Sequence, residues 1–257
     1  MGNRVITLIE RLFHRREMRH WKRLASKAGK MDIASLRATR NRARSLKLVL
    51  NDMIHTAESR LTLPMIGRDI MQLPLHSDWA YRPEIWRGPV VPSGIAAVPR
   101  KARIGRETSV FHDCAVSELT VRQLRNTRKE DLAPFGLQMD VFRFDGSFLS
   151  LVLELPEEAV QGLKKRHLLR IDAIVEMENP LEIFARLNIK HGPNTEQIAR
   201  ELPLNDKEVM VEFDLAYSRL NEKRVERMWI DLIFENPQMN QIILRDITLS
   251  RRPRAEL

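Results

Sequence analysis

The chain has 257 residues, of which 43% are hydrophobic and 30% are charged, an ordinary composition for a globular protein. The one cysteine, Cys114, excludes an intrachain disulfide framework, and no run of about 18 apolar residues is present to form a transmembrane helix. The net charge is +9, but residues 1–60 hold fifteen Lys/Arg and five Asp/Glu, so the rest of the chain is close to neutral. We therefore expect any anionic partner to contact the N-terminal quarter.

Residues 1–61 are predicted to form a basic helical extension. Residues 3 to about 28 are predicted to be helical, with an apolar stripe that changes side after the basic residues 14–16. Apolar residues recur at helical spacing again from Leu36 to Ala57. A turn at Gly29 separates the two segments, and Asp32 is a suitable N-cap for the second helix. This pattern predicts a helical hairpin.

The basic charge of the extension has three interpretations. It can be a solvated face of a hairpin that packs against the main domain or against a second copy of the chain. It can lie on an anionic membrane surface through residues 1–30. Nucleic acid is disfavoured, because no DNA- or RNA-reading signature accompanies the charge. The residues expected to contact a membrane or polyanion are Arg11, Arg15, Arg16, Arg19, Lys22 and Arg23.

Residues 62–107 are predicted to be an extended segment that wraps the main domain. Six of the thirteen prolines lie between residues 62 and 100, which excludes a long helix and disfavours central strands. The segment also contains Trp79, Tyr81 and Trp86, whose large apolar rings favour insertion into the core or its edge.

Residues 108–257 are predicted to form an antiparallel β-sandwich of jelly-roll type, because short strands alternate with turns and no βαβ pattern occurs. The dipeptide at Asp145 and Gly146 predicts a two-residue hairpin. Residues 156–160 and 194–201 are predicted to begin short helices. The predicted strands are 108–112, 117–124, 138–144, 147–155, 167–177, 182–190, 208–216, 227–235 and 241–250.

The polar side of the sandwich is the candidate binding surface. In the segment 181–194, Ile183 and its alternate neighbours are apolar, and the intervening positions are mostly polar, before a turn at residues 192–194. Trp229 lies on the polar side of its own strand, where an indole among planar polar groups can stack on a sugar. The alternative is a set of cross-strand ion pairs, with Trp229 packed beneath the N-terminal extension. The candidate ligand contacts are Asp172, Arg186, Asn188, Glu212, Asp214, Trp229 and Asp231.

Catalytic signatures are missing from the sequence, which contains no nucleophile elbow, phosphate-binding Gly-rich loop or metal-binding His pair. His112 and Cys114 would share one face of a strand and could form a nucleophile pair, although a cysteine in an apolar strand is more often inert. Carboxylates of the polar face are the other route to an enzyme. We expect a protein that is not an enzyme.

The sequence resembles two known groups of proteins. The last strand, Gln241-Ile-Ile-Leu-Arg-Asp-Ile-Thr-Leu, resembles the closing strand of carbohydrate-binding jelly rolls of the galactose-binding type, some of which hold a structural calcium ion near an acidic residue. The resemblance implies Asp246 as a calcium ligand.

The whole chain resembles an alphaproteobacterial family of unknown function, which implies a bacterial protein and carries no activity. The motifs that carry it are Phe111-His-Asp-Cys, Ala133-Pro-Phe-Gly, Arg186-Leu-Asn-Ile-Lys-His-Gly-Pro-Asn-Thr-Glu, Trp229-Ile-Asp-Leu-Ile-Phe-Glu and Arg251-Arg-Pro-Arg-Ala-Glu-Leu.

These observations predict a binding module for a glycan or nucleotide sugar, with a basic helical extension that anchors it or mediates self-association. The alternative function is a scaffold at a membrane surface that acts through residues 1–30. A single cysteine fits a reducing compartment, so we expect a cytoplasmic protein, peripheral to the inner membrane if the extension binds lipid. No cofactor other than structural calcium is expected.

Overall fold

The computed structural model describes the backbone of residues 2–66, 71, 73–204, 206 and 208–254. The side chains of residues 2–12, 59 and 62–66 are outside the described set, so the predicted contact residue Arg11 is not covered by it. The chain divides into two compact units, Met1–Met53 and Ile54–Leu257. No described helix combines the length and the apolar content that a membrane crossing would need.

The first unit contains the two predicted helices. Helix α1 spans Gly2–Lys27, a short 3₁₀ turn follows at Ala28–Lys30, and helix α2 spans Ile33–Ile66 and so continues into the second unit. Asp32 is the N-cap of α2, as predicted, because its Oδ1 accepts the backbone N–H of Ser35 at 2.9 Å. The Arg42 guanidinium lies over the Trp21 ring, 5.9 Å from its centroid, and so links α2 to α1.

The second unit is an antiparallel sandwich of two sheets, which confirms the predicted fold class. The seven-stranded sheet has the order β11-β8-β13-β6-β5-β2, with β1 also paired to β13, and the six-stranded sheet has the order β10-β9-β12-β7-β4-β3. A short helix, α3, spans Glu84–Arg87. The strands are β1 (Trp79–Tyr81), β2 (Gly94–Ala96), β3 (Lys101–Ile104), β4 (Thr108–His112), β5 (Glu118–Arg125), β6 (Phe135–Arg143), β7 (Leu149–Glu154), β8 (His167–Met177), β9 (Ile183–His191), β10 (Asn194–Glu201), β11 (Glu208–Asp214), β12 (Val225–Phe234) and β13 (Asn240–Pro253).

Alternate residues of each central strand fill the space between the sheets. On β8 the residues from Leu169 to Val175 alternate between buried and partly exposed, and Ile183, Ala185 and Leu187 of β9 are fully buried. The apolar side chains of both sheets form one continuous core. Trp86 of α3 is also fully buried, and its indole N–H donates to the Leu244 carbonyl at 3.0 Å. The proline-rich segment therefore contributes an aromatic anchor to the core, in addition to three short strands.

Two local predictions are wrong. Residues 194–201 form strand β10, because the turn at Gly192 and Pro193 returns the chain directly beside β9, with Asn194 opposite His191. Gly192 has a φ of +58°, which suits glycine at the first central position of such a turn. Asp145 and Gly146 do not form a hairpin, because β6 and β7 belong to different sheets.

Candidate functional site

The residues predicted to form one polar face are divided between the two sheets. Asp172 of β8 and both Glu212 and Asp214 of β11 belong to the seven-stranded sheet. Arg186 and Asn188 of β9, with Trp229 and Asp231 of β12, belong to the six-stranded sheet. The inside–outside alternation predicted from sequence holds, but the links from β8 to β9 and from β11 to β12 cross the sandwich. The prediction that all seven residues form a single ligand-binding face is therefore wrong.

The carboxylates on the seven-stranded sheet form ion pairs with arginines. Asp172 accepts from Arg170 Nε at 2.9 Å, two residues away on the same strand. Glu212 accepts from Arg252 Nη2 at 3.0 Å, and Asp214 lies 3.1 Å from Arg254 Nη1. The contacts of Glu212 and Asp214 link β11 to the C-terminal segment and match the cross-strand ion-pair alternative, whereas the Asp172 contact lies within β8.

Asp246 is held by an arginine rather than placed among other acidic groups. Arg82 Nε donates to Oδ1 at 2.9 Å and Arg82 Nη2 donates to Oδ2 at 2.8 Å. Both side chains are almost completely buried. Within the described part of the chain, no three His, Cys, Asp or Glu side chains are grouped as metal ligands. The calcium prediction at Asp246 is therefore not supported, because both carboxylate oxygens already accept hydrogen bonds from the Arg82 guanidinium.

The six-stranded sheet brings the remaining predicted residues together on its outer side. Strand register places Asn188 between Trp229 and Gln197, and places Arg186 opposite Asp231. We call this surface the Trp229 face. It consists of Arg186, Asn188, Gln197, Arg227, Trp229 and Asp231.

A hydrogen-bonded network fixes the polar part of the Trp229 face. Asp231 Oδ2 accepts from Arg186 Nε at 2.9 Å, from Arg186 Nη2 at 2.6 Å and from Asn188 Nδ2 at 3.1 Å. Asn188 Oδ1 in turn accepts from Gln197 Nε2 at 2.9 Å. Asn188 and Asp231 are buried, so the prediction that they contact a ligand directly is corrected. They orient Arg186 and Gln197, which reach the surface.

Trp229 is partly exposed and carries a cation against its ring. The Arg227 guanidinium lies 4.8 Å from the ring centroid, within the range of a cation–π contact. Beside it, Lys190 Nζ lies 2.9 Å from Glu226 Oε2. The accessible members of the face are thus an indole, two guanidinium groups and an amide, all planar.

Sequence reasoning missed two residues of this face. Gln197 was missed because residues 194–201 were predicted to begin a helix, and these mostly polar residues show no regular apolar alternation that would indicate a strand. Arg227 could have been predicted from the sequence, because residues two positions apart on a strand, such as Arg227 and Trp229, point to the same side of the sheet.

His112 and Cys114 do not form a nucleophile pair. His112 Nδ1 accepts the backbone N–H of Cys114 at 3.2 Å, and Nε2 lies 2.8 Å from the Val98 carbonyl oxygen. A carbonyl can only accept, so the Nε2 atom carries the proton and both ring nitrogens are used by the backbone. Burial raises the pKa of the Cys114 thiol, which disfavours a thiolate.

The sequence model of a family of unknown function, DUF6478, matches residues 1–257. The chain belongs to this family. No curated protein matches the chain. The family resemblance inferred from sequence motifs is therefore confirmed, and the fold of this family member is the antiparallel two-sheet sandwich described above.

Carbohydrate-binding modules are among the solved structures that this chain matches. A family 11 carbohydrate-binding module from Clostridium thermocellum, in complex with a β-1,3-1,4-mixed-linked tetrasaccharide, is 12% identical over 64% of this chain and 98% of its own, with a TM-score of 0.38. A second module, TmCBM61 in complex with β-1,4-galactotriose, is 15% identical over 55% and 86%, with a TM-score of 0.33. The enzymatically active domain of tailspike protein 4 from bacteriophage CBA120 is 9% identical, with a TM-score of 0.37. The match covers 55% of this chain and only 18% of the tailspike domain.

Proposed function

We propose that the protein is a non-enzymatic carbohydrate-binding protein whose ligand lies on the Trp229 face. One observation carries the proposal: a partly exposed indole stands on a sheet surface beside planar polar groups that a buried network already orients. The C–H side of a sugar ring can pack on an indole, and its hydroxyl groups can bond to guanidinium and amide groups. Because the protein already orients these side chains, they lose less conformational entropy when a ligand binds.

The accessible groups favour an acidic sugar. Arg186, Arg227 and Gln197 are donors, and the carboxylate of the network, Asp231, is buried beneath Arg186. Glu154 on β7 is a partly exposed acidic group opposite Trp229, and the two guanidinium groups outnumber it. A carboxylate or phosphate on the ligand would accept from the two guanidinium groups in bidentate geometry. The ligand class that fits is therefore an oligosaccharide containing uronic acid, or a nucleotide sugar.

The row of strands sets the length of the binding surface. Gln197, Asn188, Trp229 and Glu154 occupy neighbouring strands at matching register positions. Three inter-strand gaps of about 4.8 Å give a row of roughly 14 Å. This length suits a short oligosaccharide lying across the strands.

Isothermal titration with matched acidic and neutral oligosaccharides tests the proposal. Trp229→Ala should weaken binding at least tenfold, which corresponds to about 1.4 kcal/mol. Tyr217→Ala is the matched control, because Tyr217 is an exposed aromatic residue with Arg254 over its ring, and it lies outside the Trp229 face. Absence of binding to every saccharide, or equal affinity of the wild type and Trp229→Ala, would overturn the proposal.

A further inference from the structure

Helix α1 separates basic from apolar side chains between residues 13 and 27. At about 100° per residue, its six basic residues in this stretch fall within an arc of roughly 140°. The residues are Arg15, Arg16, Arg19, Lys22, Arg23 and Lys27, and all six are exposed. Phe13, Met18, Trp21 and Leu24 lie on the opposite side, where Phe13 is 63% and Met18 46% exposed.

Helix α2 carries one apolar stripe in its first part, and the exposed apolar residues Ile33 and Leu48 lie outside this stripe. Leu36, Ala43, Leu46, Leu50 and Met53 follow one another at spacings of seven, three, four and three, which places them on one stripe. The stripe is open near its end, where Leu50 is 50% and Met53 65% exposed. The residues along one side of the stripe are basic, namely Arg37, Arg40, Arg44 and Lys47. Such a stripe normally packs against another apolar surface.

We infer that residues 13–53 dock on the surface of an anionic lipid membrane. This segment holds twelve Lys/Arg and three Asp/Glu, so its partner must be negatively charged. The partner must also accept apolar side chains, because Leu50 and Met53 are exposed along α2 and Phe13 is exposed on the side of α1 opposite to its basic residues. An anionic bilayer interface satisfies both requirements, since acyl chains take up the apolar side chains and phosphate headgroups bind the basic ones.

The same two requirements disfavour the other partners. Nucleic acid would neutralise the arginines and leave the apolar stripe in water. A second copy of the chain would cover the stripe and bring an equal excess of positive charge against the first. The contact is peripheral, because no described helix could cross a membrane.

Flotation of the full-length protein with vesicles tests the inference. Vesicles of phosphatidylcholine with 30% phosphatidylglycerol (roughly the anionic fraction that gives a strong surface potential) should carry the protein, and pure phosphatidylcholine vesicles should not. Replacing Arg15, Arg19, Lys22 and Arg23 by Gln should lower the partition coefficient at least tenfold. The control replaces four exposed basic residues of the sandwich by Gln, namely Arg122, Lys129, Arg143 and Lys164, and should leave partitioning unchanged.

A second variant separates lipid insertion from simple charge attraction. Leu50→Asn with Met53→Asn keeps every charge and should also lower partitioning, with circular dichroism used to verify that the helices are retained. Equal flotation with neutral vesicles, or equal losses in the test and control charge variants, would overturn the inference. Dimerisation without lipid that is lost in the Leu50→Asn, Met53→Asn variant would also overturn it, because the apolar stripe would then bind a second copy. An oligonucleotide that binds the wild type and this variant equally, and displaces both from vesicles, would overturn it in favour of nucleic acid.

Discussion

Arg82 and Asp246 are joined by two parallel hydrogen bonds of 2.9 and 2.8 Å, although 164 residues separate them in sequence. Arg82 follows β1 and Asp246 lies in β13, so the pair fastens the proline-rich segment to the seven-stranded sheet. The two side chains are 1% and 5% exposed. A charge in this position depends on its partner, because neither group can be solvated by bulk water.

Asp246→Ala is expected to destabilise the sandwich by about 3–5 kcal/mol, because the buried Arg82 guanidinium loses its bidentate partner. Urea unfolding followed by fluorescence measures the difference. Glu212→Ala is the matched control in the same sheet, since the Arg252–Glu212 pair is about 28% exposed and should be worth about 1 kcal/mol or less. An equal loss of unfolding free energy in the two variants would show that burial does not make the Arg82–Asp246 pair more important than an exposed pair.

Calcium is expected to leave the melting temperature unchanged. Both Asp246 oxygens accept from Arg82, so binding of calcium would require the guanidinium to leave a buried position. Thermal unfolding in millimolar calcium and in excess chelator compares the two conditions. A rise in the melting temperature with calcium, lost in Asp246→Asn, would restore the metal site that the closing-strand resemblance implies.

His167 is expected to make the protein less stable as the pH falls from about 7 to 5. Burial lowers the pKa of His167 below its usual value of 6.5, and this outweighs the opposing attraction of Asp78. Below pH 6.5 His167 therefore binds a proton in the unfolded chain more readily than in the folded chain. The free energy of unfolding consequently falls as the pH drops from 6.5 towards the lower pKa of the folded state.

The slope of unfolding free energy against pH measures this effect. His167→Gln should flatten the slope by up to about 1.4 kcal/mol per pH unit, the limit for one proton. His14→Gln removes a histidine whose side chain is exposed on α1 and should leave the slope unchanged. A slope that is identical in all three proteins would contradict the assignment to His167.

Local alternation predicted which residues point into the core, and it did so accurately on β4 and β8, whose predicted bounds match Thr108–His112 and His167–Met177. It could not predict which sheet each strand joins, since inside and outside follow the same period in both sheets. Asp172 and Arg186 were therefore assigned to one face, although they lie in different sheets. Asn188 was correctly placed on the outer side but is buried by contacts with Asp231 and Gln197 from neighbouring strands.

The turn between β9 and β10 depends on glycine at position 192. Gly192 has a φ of +58°, and a Cβ there would meet the Arg224 side chain only at an ordinary 3.4 Å, so any cost of substitution comes from the backbone. Gly192→Ala is expected to destabilise by about 1–2 kcal/mol, because the left-handed conformation is unfavourable for residues with a Cβ.

Asparagine separates this backbone effect from a general effect of adding a side chain. Gly192→Asn should cost less than Gly192→Ala despite its larger side chain, because asparagine tolerates the left-handed region. Gly29→Ala provides a control in the α1–α2 turn, where an added Cβ meets nothing within 4 Å, and should be close to neutral. Chemical unfolding of the three variants gives the order. A larger cost for asparagine than for alanine would show that crowding near Arg224, rather than the φ angle, requires glycine at this turn.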